Sequence, residues 1–258
     1  MDLFVADFEA HYVQREKLGA GGFGSVYAGT RKADNLPAST AVLLNGKTPM
    51  ITFEVLLMQQ VARGPNAVGK SPTVSLDDWY DLEHEVLLVM ERPVLSMDLL
   101  KYSDSLGLLE EDVAKQLVEA AIHMHSKGVF HCDIKLENIL TEPKFGCGCF
   151  EKRRYKDFSG TRAFIPPELY RNGTYTARPT TVWQLGTLVY EMRAGHSWFT
   201  TEKFLNNKKK TKLNCQDFLY LCLALKPEER ITLEQMQKHP WLSQLCTTQN
   251  INQHFSVL

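Results

Sequence analysis

The apolar pattern changes character once along the chain. Residues 12 to 30 read as a strand, a glycine turn and a second strand, Ser25-Val26-Tyr27-Ala28-Gly29, because β-branched and aromatic residues flank a cluster of glycines. A short helix is predicted from Pro49 to Val61, since proline suits a helix start and Phe53, Leu56, Leu57 and Val61 recur at helical spacing. Leu82 to Met90 reads as one or two strands, with Val86-Leu87-Leu88-Val89-Met90 continuously apolar. After Pro93 the pattern turns helical. Val113, Leu117, Ala121 and Met124 share one face of a helix from Glu110 to Ser126. Thr181 to Ala194 is apolar nearly all round, as a buried central helix should be. Cys215 to Leu225 and Thr232 to His239 complete the helical part. The pattern divides the chain into an extension (1–11), a strand-rich part (12–92), a helical part (93–243) and a tail (244–258).

Composition narrows the function classes. A chain of 258 residues holds one large domain or two lobes around a shared cleft. Its 44% hydrophobic and 23% charged residues fit a globular protein. A net charge of −1 argues against general nucleic-acid binding. The basic runs Lys152-Arg153-Arg154 and Lys208-Lys209-Lys210-Thr211-Lys212 read as solvated loops. No apolar run has the length to cross a membrane, and the acids near Met1 do not suit a signal peptide. Six unevenly spaced cysteines form no disulfide framework, which predicts reduced thiols and a cytoplasmic or nuclear location. Cys147-Gly148-Cys149 lacks a second Cys/His pair at zinc spacing.

Two motifs carry chemistry. Gly19-Ala20-Gly21-Gly22-Phe23-Gly24-Ser25-Val26 fits G-x-G-x-x-G-x-V. A dinucleotide site needs a helix straight after the glycines, whereas strand-forming residues follow here. The glycines therefore cap a hairpin, where small residues let backbone N–H groups close over phosphates. The second motif is His131-Cys132-Asp133-Ile134-Lys135-Leu136-Glu137-Asn138. Asp133 is placed to accept the proton of an attacking hydroxyl. Lys135 lies beside it to meet charge on a moving phosphoryl group, and Asn138 follows to hold a magnesium ion.

This second run resembles the protein-kinase catalytic loop H-R-D-x-K-x-x-N, with Cys132 in place of Arg. The arginine braces a phosphorylated activation loop and takes no part in the chemistry. The hinge proline in Glu91-Arg92-Pro93, with Asp34-Asn35-Leu36-Pro37, Cys222-Leu223-Ala224-Leu225-Lys226-Pro227 and His239-Pro240-Trp241, resembles the Pim family of serine/threonine kinases. The resemblance covers roughly residues 10 to 243. It implies an α+β, two-lobed kinase fold with a small β-rich N-lobe and a larger helical C-lobe. It also implies ATP and Mg2+ as cofactors, a monomer, and protein substrates with basic residues near the target Ser/Thr. Leu18, Gly19, Gly21, Gly24 and Val26 would enclose the nucleotide, with Met90 behind the adenine, Glu91, Arg92 and Pro93 at the hinge, and Glu54 as the helix glutamate. Proline lacks an N–H, so one adenine hydrogen bond would be missing. Asp98 and Glu137 match acidic substrate-binding positions. Thr161 would bridge Asp133 and Lys135, and Glu168 would pair with Arg230.

Two departures stand out. A V-A-I-K strand is expected after Leu36-Pro37, but Ala38-Ser39-Thr40-Ala41-Val42-Leu43-Leu44 follows, as though the lysine strand were deleted. Lys32 and Lys47 are the candidate substitutes. After Asn138 the pattern calls for a strand hairpin and Asp-Phe-Gly, yet Ile139-Leu140-Thr141-Glu142-Pro143-Lys144-Phe145-Gly146 puts a lysine where the magnesium-binding aspartate belongs. Asp157-Phe158-Ser159-Gly160 belongs to the later, substrate-side loop. Losing one charge-stabilising group costs about 10²–10³ in rate. Two losses take about 1–100 per second down to roughly 0.01 or less. Three readings follow: an impaired Pim-like serine/threonine kinase, a pseudokinase that binds or scaffolds, and an incomplete copy of an active kinase.

Overall fold

The computed structural model describes residues 3–21, 24–44, 50–61, 74–82, 85–92, 98–106, 111–141, 149–150, 154–158, 160–194, 199–206, 215–243 and 255–257. Helix α1 (Leu3–His11) leads into strands β1 (Tyr12–Gly21), β2 (Gly24–Arg31) and β3 (Pro37–Leu44), followed by α2 (Met50–Val61), β4 (Leu76–Asp81) and β5 (Glu85–Glu91). The five strands form one antiparallel sheet in the order β1-β2-β3-β5-β4. The remainder is helical: α3 (Leu99–Leu106), α4 (Glu111–Ser126), α5 (Pro167–Asn172), α6 (Ala177–Ala194), α7 (Thr201–Asn206), α8 (Gln216–Cys222), α9 (Leu233–Gln237) and α10 (Pro240–Ser243). Short strands β6 (Val129–Phe130), β7 (Ile139–Thr141), β8 (Cys149–Phe150), β9 (Arg154–Tyr155), β10 (Tyr175–Thr176) and β11 (Phe255–Val257) punctuate this half. The α+β, two-lobed expectation holds.

The expectation of a deleted strand does not. β3 lies between β2 and β5, paired along its whole length, with Ala41 opposite both Val26 and Leu88. A strand needs only backbone pairing and residues that suit a pleated, half-buried surface, which Ala-Ser-Thr-Ala-Val-Leu-Leu supplies. The lysine is absent and the strand is present. The β2–β3 turn is built locally: Asn35 takes a left-handed φ of 59°, and Asp34 accepts from Leu36 N–H at 3.1 Å and from the Arg31 guanidinium at 2.7 Å.

Alternation along β3 gives the sheet two faces. Ala38 and Val42 join Phe8, Tyr12, Tyr80 and Leu87 on the face covered by α1. Ala41 and Leu43 join Val26, Leu88 and Met90 on the face packed by Val55 and Met58 of α2. The other side of α2 buries Leu57 and Val61 against Met124 and Val129, tying the sheet to the helical half. Leu56 is 57% exposed, contrary to the predicted apolar stripe. This helix is apolar nearly all round, so its two neighbours select which residues are buried.

Other boundaries also moved. β4 precedes the predicted 82–90 strand region, masked in sequence by Asp77 and Asp78. Asp78 instead accepts from the Tyr80 hydroxyl at 3.1 Å. The expected face of α4 is fully buried at Val113, Leu117, Ala121 and Met124. α6 forms the centre of the largest core cluster through Trp183, Leu185, Leu188, Val189 and Met192.

Candidate active site

The segment after β6 is held by its own polar groups. Cys132 has a φ of 67°, a conformation that costs a side-chain-bearing residue energy unless its surroundings enforce it. Two neighbours on its carbonyl do so. Gln184 of α6, wholly buried, donates from Nε2 to the Cys132 carbonyl at 2.6 Å. Gly160 packs so close that a Cβ there would lie 2.4 Å from the same oxygen, so only glycine fits. His131 is buried and accepts the Asp133 N–H at Nδ1, 3.1 Å away. Its proton therefore sits on Nε2. Burial holds its pKa down at about 4, with Asp133 opposing that shift and Lys135 adding to it.

Asp133 stands at the centre of the cluster. Its Oδ1 accepts from Thr161 N–H at 2.7 Å and its Oδ2 from Asn138 Nδ2 at 3.0 Å. Asn138 Nδ2 also reaches the Asp133 carbonyl at 2.8 Å, leaving Oδ1 as the atom a cation would use. Lys135 Nζ donates to Thr161 Oγ1 at 2.9 Å and lies 3.5 Å from Asp133 Oδ2. The side chains of Asp133 and Lys135 keep 26% and 21% exposure. The structure thus brings Asp133, Lys135, Asn138 and Thr161 into one bonded group. Asn138 is nonetheless a single oxygen donor beside a carboxylate already bonded by its neighbours. Among the described residues no group of three or more His, Cys, Asp or Glu side chains makes a metal site, so Asn138 would hold a magnesium ion only together with groups outside this cluster.

Among the described residues, the α2-facing surface of the sheet is apolar. Val26, Ala41 and Met90 share the α2-facing surface, and Leu18 on β1 is 48% exposed. Counting V-A-I-K from the residue after Pro37 puts the lysine position at Ala41. Lys32 does not replace it. Lys32 N–H bonds the His11 carbonyl and its Nζ bonds the Glu9 carbonyl, at the end of β2 away from the glycine turn. Lys47, Gly22, Phe23, Pro93 and Lys144 lie outside the described residues, as does the side chain of Glu54 on α2. The glycines differ in what they do. Gly24 has no room for a Cβ, which would sit 2.1 Å from the Val42 carbonyl oxygen, so it serves the β2–β3 contact. Gly19 faces open space, and Gly21 pairs with Gly24 at the hairpin end. Glu91 N–H bonds the Ser75 carbonyl at 3.1 Å, and Arg92 follows at the end of β5.

The acidic positions separate. Asp98 accepts from Lys101 N–H at 2.8 Å and pairs with Lys101 Nζ at 2.7 Å, so it is engaged in holding the start of α3. Glu137 is exposed. Glu191, which the sequence reading missed, is pushed up to about 7, first by burial and further by the charge of Glu137, against the Phe199 N–H bonded to it at 3.1 Å. Nothing local in the sequence marks Glu191 or Gln184, since both lie on the apolar α6. Below the loop, Glu168 and Arg230 form the expected buried pair, with Arg230 Nη1 2.9 Å from Glu168 Oε1 and the guanidinium 5.0 Å from the Trp183 ring. Asp157 lies in the later loop, its carbonyl accepting from the Tyr175 hydroxyl at 3.2 Å.

Comparison with known proteins agrees with this geometry. Residues 12–242 match the protein kinase domain family. The chain is 34% identical to serine/threonine-protein kinase pim-2 of Danio rerio over 91% of its own length and 86% of that protein's. It is 29% identical to serine/threonine-protein kinase prk-2 of Caenorhabditis elegans, over 92% of its length and 59% of the relative's. It is 27% identical to the sperm motility kinase Tcr mutant form of Mus musculus, over 92% and 53%. A bonded catalytic-loop cluster under a five-stranded sheet, together with these matches, places the chain in the protein kinase family as a Pim-like serine/threonine kinase.

Proposed function

We propose that this chain is a kinase with an intact phosphoacceptor side and a depleted nucleotide side. It transfers the γ-phosphoryl group of ATP to protein Ser/Thr hydroxyls at a strongly reduced rate. The observation that carries this reading is the Asp133–Thr161–Asn138–Lys135 cluster, closed at 2.7–3.0 Å. Asp133 orients the acceptor hydroxyl and takes its proton. Lys135 meets the negative charge that develops on the transferred group. Asn138 is the residue of this cluster that would help hold Mg2+, which supplies charge neutralisation when bound with ATP. Beside Thr161, Arg162 and Ile165 line a groove of about 520 Å³ with Lys156, Asp157, Phe158 and Tyr170. Glu137, exposed beside the loop, supplies negative charge for a basic substrate residue. Among the described residues, the buried Cys132, Cys215 and Cys222 suit a reducing cytoplasmic or nuclear setting.

A second reading, a binding module without efficient transfer, is favoured by Ala41 at the lysine position. One experiment separates the two. The purified chain is incubated with ATP, Mg2+ and a basic Ser/Thr peptide, alongside Asp133→Asn and Ala41→Lys. The kinase reading expects slow transfer that Asp133→Asn abolishes and Ala41→Lys raises by about 10². Transfer that survives Asp133→Asn unchanged sinks the kinase reading. No transfer from either the parent chain or Ala41→Lys leaves the binding module.

A further inference from the structure

The catalytic loop ends directly in β7. Ile139 is fully buried, which anchors this strand on its core side. A three-residue strand still needs a neighbour for its backbone N–H and C=O groups. Among the described residues that neighbour is β11, from the tail. It runs antiparallel, with Phe255 opposite Thr141, Ser256 opposite Leu140 and Val257 opposite Ile139. β11 also lies against α4, the helix on which α10 packs. β11 therefore sits against both β7 and α4.

We infer that the edge of β7 is a strand-acceptor site and that its occupant is the chain's own segment Phe255–Val257. The tail strand stands where the kinase pattern expects a hairpin strand after Asn138. This is strand addition within one chain: main-chain hydrogen bonds supply the affinity, and the alternation of the backbone sets the register. The inference concerns how the loop is held, so it stands whether or not the chain transfers phosphoryl groups. Its consequence for the site is direct, because Asn138 precedes Ile139. An unpaired β7 loosens the residue whose Nδ2 holds Asp133 at 3.0 Å.

The test compares the full chain with a version ending at Asn250, using hydrogen exchange and thermal melting. Removal of residues 251–258 is expected to speed amide exchange in 139–141 by about tenfold. It should also lower the melting temperature by about 3–5 °C. A synthetic peptide of residues 251–258, added in trans, should restore both. Proline scanning supplies a second readout. Along an antiparallel edge, alternate N–H groups point at the neighbour, so Phe255→Pro and Val257→Pro should act alike and Ser256→Pro should differ. Unchanged exchange in 139–141 after truncation overturns the inference. So does protection that rises with protein concentration alongside a dimer, which would assign the strand to a second copy.

Discussion

The two sides of the cleft have kept different things. On the sheet side the architecture is whole, but the surface facing α2 carries Val26, Ala41 and Met90, without a described cation. On the loop side Asp133, Lys135, Asn138 and Thr161 are all present and bonded to one another. The difference shows which functional groups a fold can lose quietly. A strand lysine facing a cleft contributes little to sheet pairing, so alanine can replace it and β3 still forms. The loop residues satisfy each other's buried and half-buried polar groups. Losing one leaves another unpaired, which is costly. Folding alone therefore tends to preserve the loop.

The strongest way to break this contrast is at the brace beneath the loop. Arg230→Leu leaves Glu168 buried without its partner and removes bonds to the Ala224 and Pro179 carbonyls, each 2.9 Å long. The expected cost is about 3–5 kcal/mol, read by denaturant unfolding, with nucleotide-side exchange in β1–β3 much less affected. Equal loosening of both sides would mean that the two lips are not independent.

Acidity offers the next test. Glu191 has its pKa raised from 4.5 to about 7 by burial, so its folded form holds a proton that the unfolded form releases. The stabilisation is fully present below about pH 4.5 and is lost as pH rises through about 7. His131 runs the other way: its pKa is lowered from 6.5 to about 4, so its contribution is present above pH 6.5 and is lost as pH falls through 4. Glu191→Gln removes only the first effect. Relative to the parent chain it should gain up to about 3 kcal/mol between pH 4.5 and 8, measured as the difference in urea midpoints. A parallel pair of pH profiles would show that Glu191 is solvated.

A smaller effect is expected at Gln184. Gln184→Leu leaves the Cys132 carbonyl without its 2.6 Å donor, at a cost of about 1–2 kcal/mol and with faster exchange in 131–138. The smallest is on the sheet side. Gly19→Ala meets no atom within 4 Å and should change stability by less than about 0.5 kcal/mol. A loss there as large as that at Gln184 would remove the contrast between the two lips.

Much of this protein was readable in one dimension. The buried face of α4, the all-round apolar α6, the glycine hairpin and the spacing of Asp133, Lys135 and Asn138 are local or periodic features, and local features survive in a linear pattern. The reading failed where a residue's meaning depends on partners far along the chain. A missing lysine reads as a missing strand, because nothing in Ala38–Leu44 says that β2 and β5 stand on either side. The β4 strand was hidden by Asp77 and Asp78 until the hydroxyl of Tyr80 accounted for one of those acids. Glu191 and Gln184 passed as ordinary polar residues of an apolar helix, and only packing turned one into a raised acid and the other into the clamp on Cys132. The tail's place beside β7 was also invisible, since strand pairing is fixed by backbone groups that every residue carries. The amino-acid sequence determined the family and the spacing of the loop residues, because these rest on residue type and short spacing. The tertiary structure decided the state of the cleft and the seat of the tail, because hydrogen-bond partners and burial are set by what folds alongside.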